Sequence, residues 1–185
     1  MDERVSFDNE LLILVDQNDL EIGNLSKDHC HIGEGKMHRA FSIFVINSKG
    51  QILLQQRSEQ KKLWPGFWSN SCCSHPRKGE STLEAAHRRL EQELGIQADL
   101  KSLYKFEYRA KYLDIGAEHE LCSVLVGHSD DTILVNKNEI SACCWLSPSE
   151  IDELLAKQES LITPWFRMEW DTLTAQYPDE IQNRL

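Results

Sequence analysis

One segment of this chain carries helix signals at both of its ends, and the rest has to be arranged around it. Ser81 and Glu84 form a capping-box pattern, in which each satisfies an orphan backbone N–H of the first turn, and Gly95 stands where a helix stops in the left-handed region. Between them, Thr82–Leu94 sets Leu83, His87, Leu90 and Leu94 at i, i+4, i+7 and i+11, which predicts an inward stripe. Strand patterns precede and follow this helix. Leu11–Val15, ended by the turn at Asp16–Asp19, reads as a strand, as do Ala40–Ile46 and Gln51–Gln56, the last two joined by hairpin chemistry at Asn47–Gly50. Leu63–Gly79 reads as irregular, dense in Trp, Pro, Gly, Cys and His. Leu100–Tyr112, His119–Val126 and Ile140–Leu146 follow as strands, then Pro148–Gln158 and Pro164–Tyr177 as helices that each start on a proline. Strands, one helix, strands and then helices predict an α+β sandwich with a mixed sheet, not a repeated βαβ fold. No linker, repeat or low-complexity stretch divides residues 1–185, so one domain is expected.

Charge limits the partners. The net charge of −10, from 30 acidic and 20 basic residues, repels a nucleic-acid backbone unless the cations are strongly segregated. Arg57, Lys61 and Lys62 form the one local concentration, which suits a small anion better than a polymer. No apolar run approaches the roughly 20 residues that cross a bilayer, and the mean hydropathy is −0.47, so no membrane partner is expected. Six cysteines include the vicinal pairs Cys72–Cys73 and Cys143–Cys144, unlike an extracellular disulfide framework; reduced thiols in the cytoplasm are the expectation.

Two constellations carry chemistry. In Trp64-Pro-Gly-Phe-Trp-Ser-Asn-Ser-Cys-Cys-Ser-His-Pro76, Cys73 lies two residues before His75 in a loop ahead of the helix, where a thiol is readily activated. A loop merely packed by two tryptophans is the plainer reading. Extended backbone would turn Cys72 to the opposite side from Cys73. Glu118-His-Glu120 falls on a predicted strand, which puts the two carboxylates on one face, Cα atoms about 7 Å apart, with His119 opposite. Such a pair is either an exposed strand face or a buried site neutralised by a metal or a proton. His29, His31, His38 and His75 supply imidazoles, and a mixed imidazole–carboxylate set suits Zn²⁺, Mn²⁺ or Mg²⁺.

Ser74 to Ile96 resembles the Nudix box at Glu80, Arg88, Leu90, Glu93, Gly95 and Ile96. It departs where Ser74 replaces the first glycine and where Arg89 and Gln92 replace glutamates that gather cations in the hydrolases. With Trp64-Pro-Gly-x-Trp-x-Asn-x-x-Cys-x-His-Pro76, Glu118-x-Glu-x-Cys122 and Thr163-Pro-Trp165, nearly the whole chain resembles the type I isopentenyl-diphosphate isomerases of the Nudix superfamily. The resemblance implies a Nudix-type α/β/α sandwich and a double-bond shift from isopentenyl to dimethylallyl diphosphate through a carbocation. It implies a divalent-metal site at His31, His38, His75, Glu118 and Glu120, with His29 left solvent-facing. Cys73 and Glu120 would move the protons, with Tyr108 bonded into the carboxylate network, and the order in which they act stays open. Glu93 would hold Mg²⁺ against the diphosphate; Lys27, Arg57, Lys61 and Ser74 would bind its oxygens; Trp165 would cover the tail. A monomer or homodimer is expected. The alternatives are a Nudix diphosphate hydrolase, opposed by Arg89 and Gln92, and a non-enzymatic metal-binding Nudix-like module, opposed by the Cys73–Glu120 pair.

Overall fold

A computed structural model describes residues 3–181. In chain order the elements are β1 (Leu11–Val15), β2 (Glu21–Ser26), α1 (Lys27–Cys30), β3 (His38–Ile46), β4 (Ile52–Arg57), β5 (Trp68–Ser69), β6 (Cys72–Ser74) and α2 (Thr82–Leu94). Then come β7 (Asp99–Tyr112), β8 (Gly116–His128), β9 (Ile140–Leu146), α3 (Pro148–Lys157), α4 (Pro164–Gln176) and α5 (Pro178–Ile181). The strands form one sheet with β3 at its centre. Strand β8 pairs with β3 in parallel along His38↔Glu120 to Ile46↔His128, while β1, β4 and β6 meet β3 antiparallel. The sheet is therefore mixed, as expected of an α+β sandwich.

Strand β3 is buried on both faces, which explains its apolar run from Ala40 to Ile46, broken only by Ser42. Ala40, Phe44 and Ile46 join an apolar layer with Val124, Leu155, Phe166 and Trp170, covered by α3 and α4. Phe41, Ile43 and Val45 join a second layer with Ala85, Ala86, Leu90 and Leu94, covered by α2. Alternation along one strand thus feeds two cores.

Helix α2 has both predicted caps: the reciprocal Ser81–Glu84 box is formed, and Gly95 sits at φ 67°. The inward stripe needs correction. Leu90 and Leu94 are buried, but Leu83 and His87 are exposed, and the buried face is completed by Ala85, Ala86, Arg89 and Glu93. The small alanines let the helix approach β3 and β6 closely, and the charged pair is buried because it is mutually compensated. The segment from Leu63 to Gly79 is more ordered than expected, since it contains β5 and β6. Strand β8 begins at Gly116 and so includes Glu118. Among the described residues no helix is long and apolar enough to cross a membrane.

Candidate active site

The parallel register of β3 and β8 puts His38 beside Glu120 at one end of the sheet centre. Glu118 and Glu120 share a face of β8, and His119 points away to Glu107, as period-two alternation requires. His31 caps the short α1 and His75 follows β6, which lies against β3 through Ser42↔Cys73. One ligand atom from each of His31, His38, His75, Glu118 and Glu120 lies within 4.8 Å of all the others. The three imidazole centroids are 4.8 to 5.4 Å apart. His29 stays outside this group and is exposed.

The orientation of the rings suits a cation. His31 Nδ1 lies 2.5 Å from the Lys27 carbonyl and His38 Nδ1 lies 2.7 Å from the Lys36 carbonyl. A carbonyl can only accept, so each Nδ1 carries a hydrogen, and Nε2 is the ring atom turned to the cluster. His38 Nε2 is buried without a hydrogen-bond partner. Glu118 Oε2 stands 2.7 Å from His31 Nε2 yet outside hydrogen-bond geometry. Two buried ligand atoms without hydrogen bonds, turned to the centre of an imidazole and carboxylate cluster, fit a divalent ion.

Electrostatics separates the two carboxyls. Burial works to raise both. For Glu118 the adjoining His31 outweighs it and holds the carboxyl below its usual range, whereas burial and the Glu118 charge together push Glu120 up. Tyr108 O–H donates to Glu120 Oε2 at 2.7 Å, and His75 Nε2 is 2.8 Å from Glu120 Oε1. Burial brings His38 down to about 3 and His75 well below the ordinary imidazole value, which favours the neutral form of both rings at physiological pH.

Cys73 lies on β6, facing the same side of the sheet as Ser42, and β8 flanks β3 on the other edge. Thiol and Glu120 thus stand on opposite sides of the central strand. Cys72 is wholly buried in the layer under α2, so the two neighbouring thiols face opposite ways. Ser74, the Cα partner of Phe41, shares the α2 side with Cys72.

The predicted cations divide into two groups. Arg57 donates to the carbonyls of Trp64 (3.1 Å) and Leu63 (2.9 Å), and its guanidinium lies 5.3 Å from the Trp165 ring centroid. Lys27 bonds to the Ser6 hydroxyl and Lys61 to Glu139. Arg89 Nη2 reaches the same Glu139 oxygen at 3.1 Å and Glu93 Oε1 at 2.5 Å. Burial first, then Lys61 and Arg89, lower the Lys27 ammonium to about 8. Glu93 is therefore set in the basic group, apart from the five-residue cluster. Arg89 and Glu139 are the members that motif reading left without a task. The signal for Arg89 was its intrusion at a glutamate position, while Glu139 carried none. Trp165 is buried, its Nε1–H donates to Ser69 Oγ at 3.0 Å, and its ring meets Trp64 edge-on at 5.1 Å.

Known proteins resemble the chain along most of its length. A family model for the NUDIX domain matches residues 36–166. A Photorhabdus laumondii protein named isopentenyl-diphosphate Delta-isomerase 1 is 44% identical, covering 93% of this chain and 99% of its own length. A Bos taurus protein of the same name is 39% identical over 100% of this chain and 91% of its own. Among solved structures, a Deinococcus radiodurans protein superposes with a TM-score of 0.69 at 25% identity, covering 91% of this chain and 99% of that one. A MutT protein from Methanosarcina mazei, at 18% identity and TM-score 0.63 over 76% of this chain and 94% of its own, shares the fold.

Proposed function

The chain belongs to the NUDIX-domain family and, within it, to the isopentenyl-diphosphate Delta-isomerases, and on that premise we propose that Cys73 and Glu120 shift the double bond of isopentenyl diphosphate to give dimethylallyl diphosphate. The observation that carries the reading is the convergence of His31, His38, His75, Glu118 and Glu120 within 4.8 Å, with Tyr108 bonded to Glu120 and Cys73 across the central strand.

The reaction adds a proton at C4 and removes another from C2. An alkene is a very weak base, so the donor must be strong and held in contact. Supporting this role for Glu120, burial and Glu118 favour its protonated form, and Tyr108 and His75 hold its two oxygens. Cys73 serves the opposite side. A divalent ion held by the five ligands would neutralise the paired carboxylates and strengthen Glu120 as an acid. Mn²⁺, Zn²⁺ or Mg²⁺ suits that mixed nitrogen and oxygen set. Lys27, Arg57, Lys61 and Arg89 bind the diphosphate, with Ser74 assisting, and Glu93 would hold the Mg²⁺ that accompanies it.

Between the two proton transfers the substrate is a tertiary cation that water would capture. Trp165, Trp64 and Tyr108 wall the site from solvent, and a desolvated cation–π contact contributes about 2 kcal/mol. The hydrolase alternative lacks its helix carboxylates: Arg89 occupies one position and pairs with Glu93. The test is incubation of the protein, isopentenyl diphosphate and a divalent metal, with phosphorus NMR and chromatography of the products. Dimethylallyl diphosphate with its diphosphate intact is expected; a monophosphate ester with released phosphate would favour hydrolysis.

A further inference from the structure

Glu169 is a buried carboxyl to which the mechanism above gives no task. It lies on α4 one turn after Trp165, so the two side chains leave the same face of the helix. The residue is 0% exposed, and Oε2 is buried without a hydrogen-bond partner. Oε1 accepts from the Cys122 thiol at 3.8 Å, and that thiol lies 3.5 Å from Ser42 Oγ. Ser42 is the ladder partner of Cys73, and Cys122 is two residues from Glu120 on the same face of β8. The Glu169 carboxyl thus lies over the central strand, between the two groups that exchange protons with the substrate.

A carboxyl with an unbonded oxygen is an expensive choice for packing alone, since an apolar side chain would fill the space without that penalty. The titratable groups around it are Cys73 from β6, Glu120 and Cys122 from β8 and Tyr104 from β7, whose O–H donates to the Glu169 carbonyl at 3.4 Å. No cation is among them. Burial first, opposed by the Ser42 hydrogen bond and assisted by Glu120, pushes the carboxyl up to about 8.

We propose that Glu169 is a further charge-stabilising group of this site, its free Oε2 facing the branched carbon that becomes positive between the two proton transfers. The inference rests on the isomerase reading. No bond to Glu169 forms and no proton need leave it. A negative oxygen dipole fixed there interacts with the cation and hardly at all with the neutral alkene, which is the differential stabilisation that accelerates a step.

The experiment compares two probes on the metal-loaded full chain by calorimetry. One is a diphosphate ester whose tail carries a tertiary ammonium at the branched position, and the other is the saturated hydrocarbon diphosphate of the same shape. Both use the same diphosphate contacts, so the ratio of their affinities isolates the charge. Glu169→Leu is expected to lower the preference for the cationic probe by about 10-fold or more, and Glu169→Gln, which keeps an oxygen dipole, by a smaller factor of roughly 3. An unchanged preference in Glu169→Leu, or in the similarly long Glu169→Met should the Leu variant fail to fold, overturns the proposal, because both remove the oxygen dipole. Equal weakening of both probes also overturns it and marks a packing role. Failure of the unmodified protein to bind either diphosphate would remove the isomerase premise and the proposal with it.

Discussion

Cys73 keeps its proton in the free protein, because burial pushes the thiol up to about 12 against the pull of the Arg57 guanidinium. In the proposed reaction it would therefore meet the substrate as an acid, or as a base only once another group has taken its proton. Its neighbour Cys72 faces the α2 layer. Cys73→Ala should lower turnover by at least 10²–10⁴-fold or so, the usual worth of a missing acid–base group, while Cys72→Ala stays within about an order of magnitude. Equal losses in both variants, with circular dichroism unchanged, would refute the assignment. The carboxyls separate in the same way. Glu118→Gln removes the partner of His31 and should weaken metal binding, with activity partly restored at high metal concentration. Glu120→Gln should remain nearly inactive at saturating metal, because the proton-carrying group itself is gone. Turnover against metal concentration, with metal content measured, checks this; full recovery of Glu120→Gln would reduce Glu120 to a ligand.

At the scale of elements, what could be read from sequence followed the strength of local signals. Helix α2 was legible to its last residue because its caps are chemically unambiguous. Its inward face was not, because apolarity alone pointed to Leu83, whereas the alanines and the compensated Arg89–Glu93 pair are what the sheet admits. Strand β2 escaped notice since Glu-Ile-Gly-Asn-Leu-Ser is polar and half-exposed at the sheet edge, and α1, β5 and β6 are too short to show a period. These distinctions bear on stability. Gly95 holds φ 67°, and a Cβ there would come within 2.9 Å of Leu134 Cβ. Gly95→Ala should destabilise by about 1–2 kcal/mol or more, whereas Leu83→Ser, on the exposed face, should stay within about 0.5 kcal/mol. Denaturant midpoints of the two variants test the corrected face directly.

For the molecule as a whole, the five-residue cluster draws on residues far apart in sequence, and only the resemblance joined His31 and His38 to Glu118 and Glu120. Spacing could not, because the parallel β3–β8 register that unites them is non-local. The Cys73–His75 segment and the shared face of the two glutamates were legible locally. Arg57 and Lys61 stood in the one local concentration of cations while nothing local tied Lys27 to them, and the structure divides them between Arg57 at the tryptophans and the Lys27–Lys61–Arg89 group. A cation that binds only the folded cluster must stabilise the whole chain. Mn²⁺ or Zn²⁺ should raise the melting temperature of chelator-treated protein, by several degrees at saturating metal, and His38→Ala should abolish the shift. A shift that survives in His38→Ala would locate the metal elsewhere. The central claim is that a proton from the protein enters the substrate carbon skeleton while the diphosphate is left intact. Incubation with isopentenyl diphosphate in D₂O, followed by proton and deuterium NMR, measures this directly. The account predicts dimethylallyl diphosphate with deuterium in a methyl group, whereas release of phosphate without deuterated product would contradict it.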